Sequence, residues 1–203
     1  MKQYSIHDGE RLVRAARDAI ETHLTSPAFK ADAIKRHIAD FVDEERIFVS
    51  IEHYPTKAQR GCVGSYKQAV KLKDALIDAA ISATEDPRFV PVSHREFEHM
   101  IVGVNLLSKP ILIRHTDAGS MSEHVKVGKD GLIIEYGYKS SILMPDSAIE
   151  GSWDSKEFLE SLCIMAGLTP DSWKMGAAKV FRFSSQIFKE ISPRGPVEEI
   201  LFR

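Results

Sequence analysis

Two kinds of hydrophobic spacing follow one another along the first half of the chain. Apolar residues three or four positions apart predict a helix around 12–23, a less regular one over 29–42, and the clearest one over 72–83. Between the last two, apolar and polar residues alternate over 46–54, which predicts a strand, and a returning strand follows over 60–66. The first half therefore predicts helices packed on an antiparallel pair of strands.

In the second half of the chain, hydrophobic patterns typical of strands predominate. Residues 101–108 are almost continuously apolar, as in a strand that is covered on both faces. The Asp130-Gly131 pair predicts a hairpin that joins 125–127 to 132–136, and alternation over 179–191 predicts one long strand. Residues 114–124 are polar and predict an internal linker.

Capping residues predict one further helix. Asp154 is followed three residues later by Glu157, which is the pattern of a capping box, and Gly167 predicts the end of that helix.

Residues 197–202 form a short apolar segment after two prolines. This tail is predicted either to fray or to dock on a neighbouring subunit of a homo-oligomer.

Composition and charge narrow the functional classes. The chain has 203 residues, of which 43% are hydrophobic, and a formal charge of -2, so it has enough apolar surface for a core but no global positive field. Nucleic-acid binding therefore requires a local basic patch. The first residues lack a signal-peptide pattern, and no apolar run approaches the roughly 18 residues of a membrane span. We expect a soluble cytoplasmic protein.

Cysteine and histidine spacing argues against a metal site. The two cysteines, Cys62 and Cys163, lie about a hundred residues apart, without the paired spacing of zinc sites or disulfide frameworks. His94 and His99 are five residues apart, a spacing that does not place both imidazoles on one helix face. No metal and no cofactor are predicted, and Cys163 is predicted to pack inside the helix that Asp154 caps.

The most unusual chemistry is concentrated in Arg60-Gly61-Cys62-Val63-Gly64. In a strand, the glycines let another backbone or a ligand approach the thiol, and the nearby guanidinium favours a thiolate. The same pattern also suits a small buried cysteine at a bulge or bend. A second candidate segment, Asp86-Pro87-Arg88-Phe89, carries an acid and a base that either pair with each other or bind an anion. Both alternatives remain open at this stage.

Further short motifs accompany these two segments in a fixed order. They are Ser82-Ala83, Gly131-Leu132-Ile133, Leu143-Met144-Pro145, Glu150 with Trp153, and Cys163 with Ala166-Gly167-Leu168. In this order and spacing the chain resembles the AMMECR domain family, whose hallmark is Leu-Arg-Gly-Cys-Ile-Gly. Gln59 and Val63 replace the leucine and isoleucine of that hallmark.

The chain departs from the family pattern elsewhere. It has Pro145-Asp146-Ser147 where the family usually has Pro-Gln-Val, and Met165 where the family has lysine. Gly103 and Asn105 stand where the family has glutamate and serine. These departures weaken an enzymatic interpretation that depends on those polar positions, and they leave the glycine-flanked cysteine as the shared feature.

The resemblance implies one α+β domain over 1–203, with antiparallel sheets packed with helices. It implies two lobes with a cleft near the 60–64 loop: a main lobe over about 1–113 and 154–191, and a smaller β lobe over about 114–153. Many relatives occur beside Memo-like and radical-SAM proteins, which implies a protein partner. The resemblance does not imply a particular reaction.

Three functional hypotheses follow. The first is an accessory or binding module, in which residues 60–64 with Asp86 and Arg88 recognise a partner or a small anion. The second is an enzyme in which Cys62 is the nucleophile or acceptor and His53 or His94 is the base. The third is RNA or DNA binding through a local basic stripe, against which the overall acidity argues. The stripe comprises Lys67, Lys71, Lys73, Arg88 and Arg95, with Tyr66 for stacking.

Overall fold

The structure is a computed structural model that describes residues 2–26, 31–114 and 120–201. Helices and antiparallel sheets both contribute, which confirms the predicted α+β class. The described residues form two compact units. The first comprises the described parts of 1–107 with 186–201, and the second comprises those of 108–185.

The helices and strands are numbered here in chain order. The helices are α1 (Ile6–Thr25), α2 (Asp32–His37), α3 (Leu72–Thr84), α4 (His94–Phe97), α5 (Pro145–Glu150) and α6 (Ser155–Met165). The strands are β1 (Glu44–His53), β2 (Gln59–Gly64), β3 (Val70–Lys71), β4 (Met100–Leu107), β5 (Ile111–Leu112), β6 (Gly131–Tyr136), β7 (Lys139–Leu143), β8 (Lys179–Phe183), β9 (Ser185–Glu190) and β10 (Val197–Ile200). Two short 3₁₀ helices cover Ser120–His124 and Pro170–Lys174.

The first unit is built on a sheet in the order β10-β9-β4-β1-β2, and β3 pairs with the start of β1. One face carries Ile47, Val49 and Ile51, which join the core formed with α1 and α3. The buried ridge of α3 contains Ala79 and Ala83, and such small side chains allow a helix to approach a sheet closely. Strand β2 lies at the end of the sheet order, next to α3.

A buried ion pair ties α1 to two strands of the same unit. Arg17 and Glu190 are 3% and 1% exposed, and the Arg17 guanidinium donates to both Glu190 carboxylate oxygens at 2.7 and 2.5 Å. Arg17 also donates to Met100 O, and Glu190 accepts the Val102 N–H at 3.0 Å. Because both charges are paired and hydrogen-bonded, the desolvation cost of burying them is offset.

The second unit contains a four-stranded sheet in the order β5-β8-β6-β7. Helix α6 begins at a capping box in which Asp154 accepts backbone N–H groups and Glu157 accepts the Asp154 N–H, as the sequence predicts. Gly167 follows the helix with a φ of 67°. Cys163 is fully buried in the core of this unit, so the prediction that it packs inside the helix is confirmed.

The hairpin predicted between 125–127 and 132–136 is wrong. The Asp130 N–H donates to Lys126 O and the Lys126 N–H donates to an Asp130 carboxylate oxygen, so this segment closes on itself as a turn instead of starting a strand. The hairpin forms one step later, where β6 pairs with β7 around Gly137-Tyr138. Gly137 has a φ of 61°, which suits a tight turn.

Other boundaries differ from the sequence predictions. The strand predicted over 179–191 is two strands, β8 and β9, which belong to different sheets. Residues 154–185 belong to the second unit, whereas the sequence interpretation placed them in the main lobe.

Three predicted segments are also revised or fall partly outside the described residues. The second helix is shorter than 29–42, and residues 27–30 of that region lie outside the described residues. So do residues 115–119 of the predicted linker. The tail forms β10, the edge strand of its sheet, which pairs with β9 of the same chain, so Val197–Ile200 does not fray.

Among the residues that the structure describes, none of the helices combines the length and the apolar character needed to span a membrane.

Candidate functional site

The 60–64 motif lies on β2, and its pairing with β1 decides where each group points. Cys62 lies opposite Ser50, and Val63 lies opposite Val49. Because the Ser65 N–H donates to Ile47 O, the backbone groups of residues 61, 63 and 65 face β1. The backbone N–H and C=O of Cys62 therefore point away from β1, toward the outer edge of the sheet.

Asp86 and Arg88 close that outer edge at Cys62. The Cys62 N–H donates to Asp86 Oδ2 at 2.9 Å, and Arg88 Nη2 donates to the Cys62 carbonyl at 3.2 Å. Asp86 and Arg88 also pair with each other through Nε to Oδ1 at 3.0 Å and Nη2 to Oδ2 at 2.6 Å. One acceptor and one donor thus take the place of a neighbouring strand. We call this pair with Cys62 the Cys62 clamp.

The clamp perturbs the acid–base properties of its members. Burial by itself raises the pKa of Asp86, but hydrogen bonds from the Arg88 side chain, the Cys62 N–H and the Arg88 N–H outweigh it and lower that pKa to about 2. The hydrogen bond to Asp86 raises the pKa of Arg88 against the opposing effect of burial, and the negative charge of a Cys62 thiolate contributes in the same direction. Asp86 is therefore ionised at neutral pH.

Close contacts with neighbouring backbone explain why residues 61 and 64 are glycines. A Cβ atom on Gly61 would overlap the Ala83 carbonyl oxygen at the end of α3. A Cβ atom on Gly64 would overlap the Ile47 carbonyl oxygen of β1. Of the two predicted reasons for bare glycine positions, the structure shows close backbone approach at both residues.

Arg60 belongs to a second cluster beside the clamp. The pairing of β1 and β2 is irregular between Ile51 and Glu52, and Arg60 is the extra residue on β2. Its guanidinium donates to both Glu96 carboxylate oxygens, at 2.6 and 3.2 Å. His53 Nε2 lies 3.6 Å from the same carboxylate. Arg60 Nη1 is buried and has no hydrogen-bond partner among the described residues.

Phe89 connects the two clusters. Its ring centroid lies 5.8 Å from the Arg60 guanidinium carbon and 5.5 Å from that of Arg88, so both cations contact one aromatic ring. Val90, the next residue, is 77% exposed. The segment after α3 thus brings an apolar surface next to the clamp.

The face of the sheet that carries Cys62 is also polar on the neighbouring strands, at Ser50 and Glu52 of β1 and Lys189 of β9. Gly103 lies opposite Ser50, and a Cβ atom on Gly103 would meet Ser50 Oγ at 2.5 Å and the Lys189 stem at 3.4 Å. Lys189 in turn pairs with Glu52 at 2.6 Å. The space that a larger residue would need at position 103 is therefore occupied by neighbouring side chains.

The structure brings most of the predicted site residues together. Arg60, Gly61, Cys62, Gly64, Asp86 and Arg88 all belong to the two adjoining clusters. Val63 faces the opposite way and packs against the helix-covered core. His53 contacts Glu96, whereas His94 starts α4 as an exposed residue.

Sequence reasoning missed Glu96 and Ser50. Glu96 had a local signal, because Ser93 stands three residues before it and accepts its backbone N–H, the spacing of a helix start. Ser50 was visible only as a polar position on β1. Within the described parts of the chain, no cluster of three or more His, Cys, Asp or Glu side chains is arranged to hold a metal ion, and neither cysteine forms a disulfide.

Comparison with known proteins identifies relatives over nearly the whole chain. A protein of Methanocaldococcus jannaschii, MJ0810, is 40% identical over 200 residues, with 98% of each chain covered. The Pyrococcus abyssi protein PYRAB00100 is 42% identical, with 93% of each chain covered. The crystal structure of the Pyrococcus horikoshii protein PH0010 superposes with a TM-score of 0.89 at 38% identity, covering 96% of this chain and 97% of that one.

The family assignment follows from these matches and from a family-wide sequence comparison. The sequence model of the AMMECR1 family matches residues 13–188, which include the clamp, the Arg60 cluster and most of both units. The resemblance based on short motifs is thereby confirmed, and the chain belongs to the AMMECR1 family.

Proposed function

We propose that the protein is a binding module that presents the Cys62 clamp to a protein partner. The observation that carries this proposal is the state of Arg88. Its side chain is 46% exposed, yet its guanidinium is held by Asp86 and by the Cys62 carbonyl. An exposed side chain that is already ordered loses little conformational entropy on binding. Arginine is also enriched among the residues that dominate binding energies.

The surroundings of Arg88 support a protein partner. Phe89 lies against both guanidinium groups, and Val90 is largely exposed. An arginine beside aromatic and apolar surface is the composition that interface centres prefer. The backbone of Cys62 is fixed on its outer side by the clamp, so the loop is presented in one conformation.

The local charge balance favours a protein over a small anion. Arg60 is paired with Glu96 and Arg88 is paired with Asp86, so each cation already has a carboxylate. A free anion would have to compete with these carboxylates for the same donors. A protein partner adds apolar contacts with Phe89 and Val90, which do not depend on that competition.

Capture of the partner tests the proposal. The immobilised protein is incubated with lysate of its source cells, and the washed complex is quantified for the wild type, Arg88→Ala and Arg60→Ala. Arg36→Ala is the matched control, since Arg36 is an exposed arginine on α2. We expect Arg88→Ala to reduce the captured partner about tenfold, a typical loss for a central arginine, and Arg36→Ala to have no effect.

The folded state of each variant is checked by its melting temperature, so that a lost complex is not confused with a lost fold. If the same complex forms with Arg88→Ala and Arg60→Ala as with the wild type, the clamp is not the recognition surface, and the proposal is wrong.

One observation favours an enzyme as the second candidate. Arg88 donates to the Cys62 carbonyl, so a guanidinium lies close to this cysteine. A cation beside an accessible cysteine is a setting in which reactive thiols occur. Cys62 is partly exposed, whereas Cys163 is buried and its pKa is raised by that burial.

Alkylation of the folded protein checks this candidate. We expect iodoacetamide at neutral pH to modify Cys62 at least about tenfold faster than Cys163, as measured by peptide mass spectrometry, because thiolate character and access control the rate. Cys163 serves as the internal control, and Arg88→Ala should slow the reaction of Cys62. Equal protection of both thiols until the protein unfolds would exclude a catalytic Cys62.

The nucleic-acid hypothesis receives less support. Tyr66, the residue proposed for base stacking, has a buried hydroxyl, and its carbonyl accepts a hydrogen bond from Arg46. Arg88, the central cation of the proposed stripe, is bonded to Asp86. A stacking platform requires an open ring face beside unpaired cations, and these two residues do not form one.

A further inference from the structure

The outer edge of strand β10 lies at the opposite end of its sheet from the Cys62 clamp. The strand order is β10-β9-β4-β1-β2, so β10 has a neighbouring strand on one side only. We propose that an extended segment of a partner protein adds to this edge as an antiparallel strand, and that it carries an apolar residue followed two positions later by lysine or arginine. Because the clamp takes no part, the inference is independent of the proposed binding function.

The pairing with β9 determines which backbone groups of β10 face outward. The Ile191 N–H donates to Pro196 O, so these two residues form a hydrogen-bonded pair. Such pairs recur at every second residue of an antiparallel ladder, and the register makes Glu198 the next residue whose backbone faces β9. The N–H and C=O groups of Val197 and Glu199 therefore point away from β9.

Within the described ranges, these outward groups have no protein partner, because no side chain or backbone group bonds to them on that side. The opposite edge of the sheet differs. There, Asp86 and Arg88 bond to the outward N–H and C=O of Cys62. An open edge is the surface on which an added strand gains main-chain hydrogen bonds.

The side chains of β10 indicate the charge of the added segment. The strand contains two acids, Glu198 and Glu199, and no basic residue. Glu198 is exposed and forms no ion pair or hydrogen bond with the residues that the structure describes. Lys189, its neighbour on β9, pairs with Glu52 at 2.6 Å instead. A cation opposite Glu198 would therefore meet a carboxylate that has no counter-charge.

Strand geometry converts this charge into a short sequence pattern. In an added antiparallel strand, Glu198 and Ile200 lie in non-hydrogen-bonded pairs, in which opposite side chains are closest. Both side chains lie on the same face of the sheet. A lysine or arginine opposite Glu198 and an apolar residue opposite the half-buried Ile200 each form a favourable cross-strand pair. Since the strands run in opposite directions, the apolar residue comes first in the partner.

The same charges disfavour a second copy of this chain as the occupant. Twofold pairing of two β10 edges about the middle of the strand places Glu198 or Glu199 opposite its own copy. Like charges directly opposite each other destabilise a strand pair. The two acids thus protect the edge from self-association, while they admit a strand that brings the opposite charge.

A pre-organised strand tests the proposal. A cyclic β-hairpin peptide whose outer strand reads Thr-Val-Thr-Lys-Thr is added to ¹⁵N-labelled protein, and amide shifts are followed by NMR. Cyclisation lowers the conformational cost of binding. We expect saturable shifts that are larger at Val197 and Glu199 than at Glu198 and Ile200, because only the outward N–H groups gain a partner. Methylation of the peptide nitrogen opposite Glu199 should weaken binding at least about tenfold, since it removes one hydrogen bond and adds a clash.

A charge exchange tests the choice of a cation. Glu198→Lys should weaken binding of the lysine hairpin about fivefold, and it should strengthen binding of a hairpin with glutamate at the same place by a similar factor. Glu44→Lys makes the same change at an exposed acid on β1 and should alter neither affinity. A reversed preference in Glu198→Lys would also show that this variant is folded.

Three results would overturn the proposal: no saturable shifts at millimolar hairpin, equal binding of the methylated hairpin, or affinities that do not reverse in Glu198→Lys. Shifts at Val197 and Glu199 that depend on protein concentration without peptide would show that a second copy occupies the edge, which would also contradict it. Arg88→Ala should leave hairpin binding unchanged, so failure at β10 can be distinguished from failure of the clamp as a recognition surface.

Discussion

Replacing Gly61 with alanine is expected to destabilise the first unit by about 3 kcal/mol, at the upper end of the usual cost of overpacking. The added Cβ would overlap the Ala83 carbonyl oxygen, and both atoms belong to backbone, which cannot rotate away as a side chain can. Relief requires either α3 or β2 to move. Urea or thermal unfolding followed by circular dichroism measures the effect, for which we expect a melting temperature lower by roughly 10 °C.

Gly176→Ala is the matched control for this substitution. Gly176 is exposed, a Cβ atom there would meet nothing within 4 Å, and its backbone is not in the left-handed region. We expect a change within about 0.5 kcal/mol. Equal stability of Gly61→Ala and Gly176→Ala would mean that β2 and the end of α3 are not in close contact, and the explanation given above for the motif glycine would fail.

This prediction also bears on the proposed function. A shift of β2 away from α3 would carry Cys62 with it, while Asp86 and Arg88 follow the end of α3. The clamp would then lengthen or break. In the capture experiment, a folded Gly61→Ala protein should therefore bind less partner than the wild type, although no side chain of the recognition surface has been removed.

Elements with a local signal could be predicted from the sequence. The capping box of α6, the alanine ridge of α3 and the alternation in β1 each arise from residues within one turn or one strand. The hairpin predicted at Asp130-Gly131 was wrong, although its turn signal is also local. A hydrogen bond between Lys126 and Asp130 closes that segment as a separate turn, so no strand precedes it. The division of 179–191 into two strands depends on which sheet each half joins, and spacing alone does not encode this.

The candidate site shows the same limit. The sequence indicated that Asp86 and Arg88 either pair with each other or bind an anion, and the structure shows that they pair. Both also bond to the backbone of Cys62, which precedes Asp86 by 24 residues. Glu96 reaches Arg60 across 36 residues. Such contacts depend on how α3 and the following loop return to β2, so the residues could be nominated from sequence, but their partners could not.

Replacing Asp86 with asparagine is expected to remove a pH-dependent part of the stability of the first unit. The folded pKa of Asp86 is about 2 and its ordinary value is 3.8, so the ionised form stabilises the fold. For a lowered pKa, this contribution is fully present above about pH 4 and is lost as the pH falls toward 2. The shift corresponds to about 2 kcal/mol at neutral pH.

Asparagine has nearly the same shape as aspartate, but its amide can accept only with one end. In Asp86, Oδ2 accepts from the Cys62 N–H and Arg88 Nη2, while Oδ1 accepts from the Arg88 N–H and Nε, so the NH₂ group of asparagine would face donors on one of these two sides. We expect Asp86→Asn to be less stable than the wild type by about 2 kcal/mol at pH 7, in line with the loss of charged hydrogen bonds. The difference should shrink progressively between pH 4 and pH 2, as measured by urea unfolding at each pH.

Asp40→Asn separates the effect of a buried clamp from that of a lowered pKa alone. Arg11 also lowers the pKa of Asp40 to about 2, but this ion pair lies at the surface, where solvent and salt screen it. We expect Asp40→Asn to change the stability much less than Asp86→Asn at every pH. If the two variants lose the same stability, or if the loss in Asp86→Asn does not depend on pH between 4 and 2, then Asp86 does not hold Cys62 through its charge, and the rigidity on which the proposed recognition surface depends must have another origin.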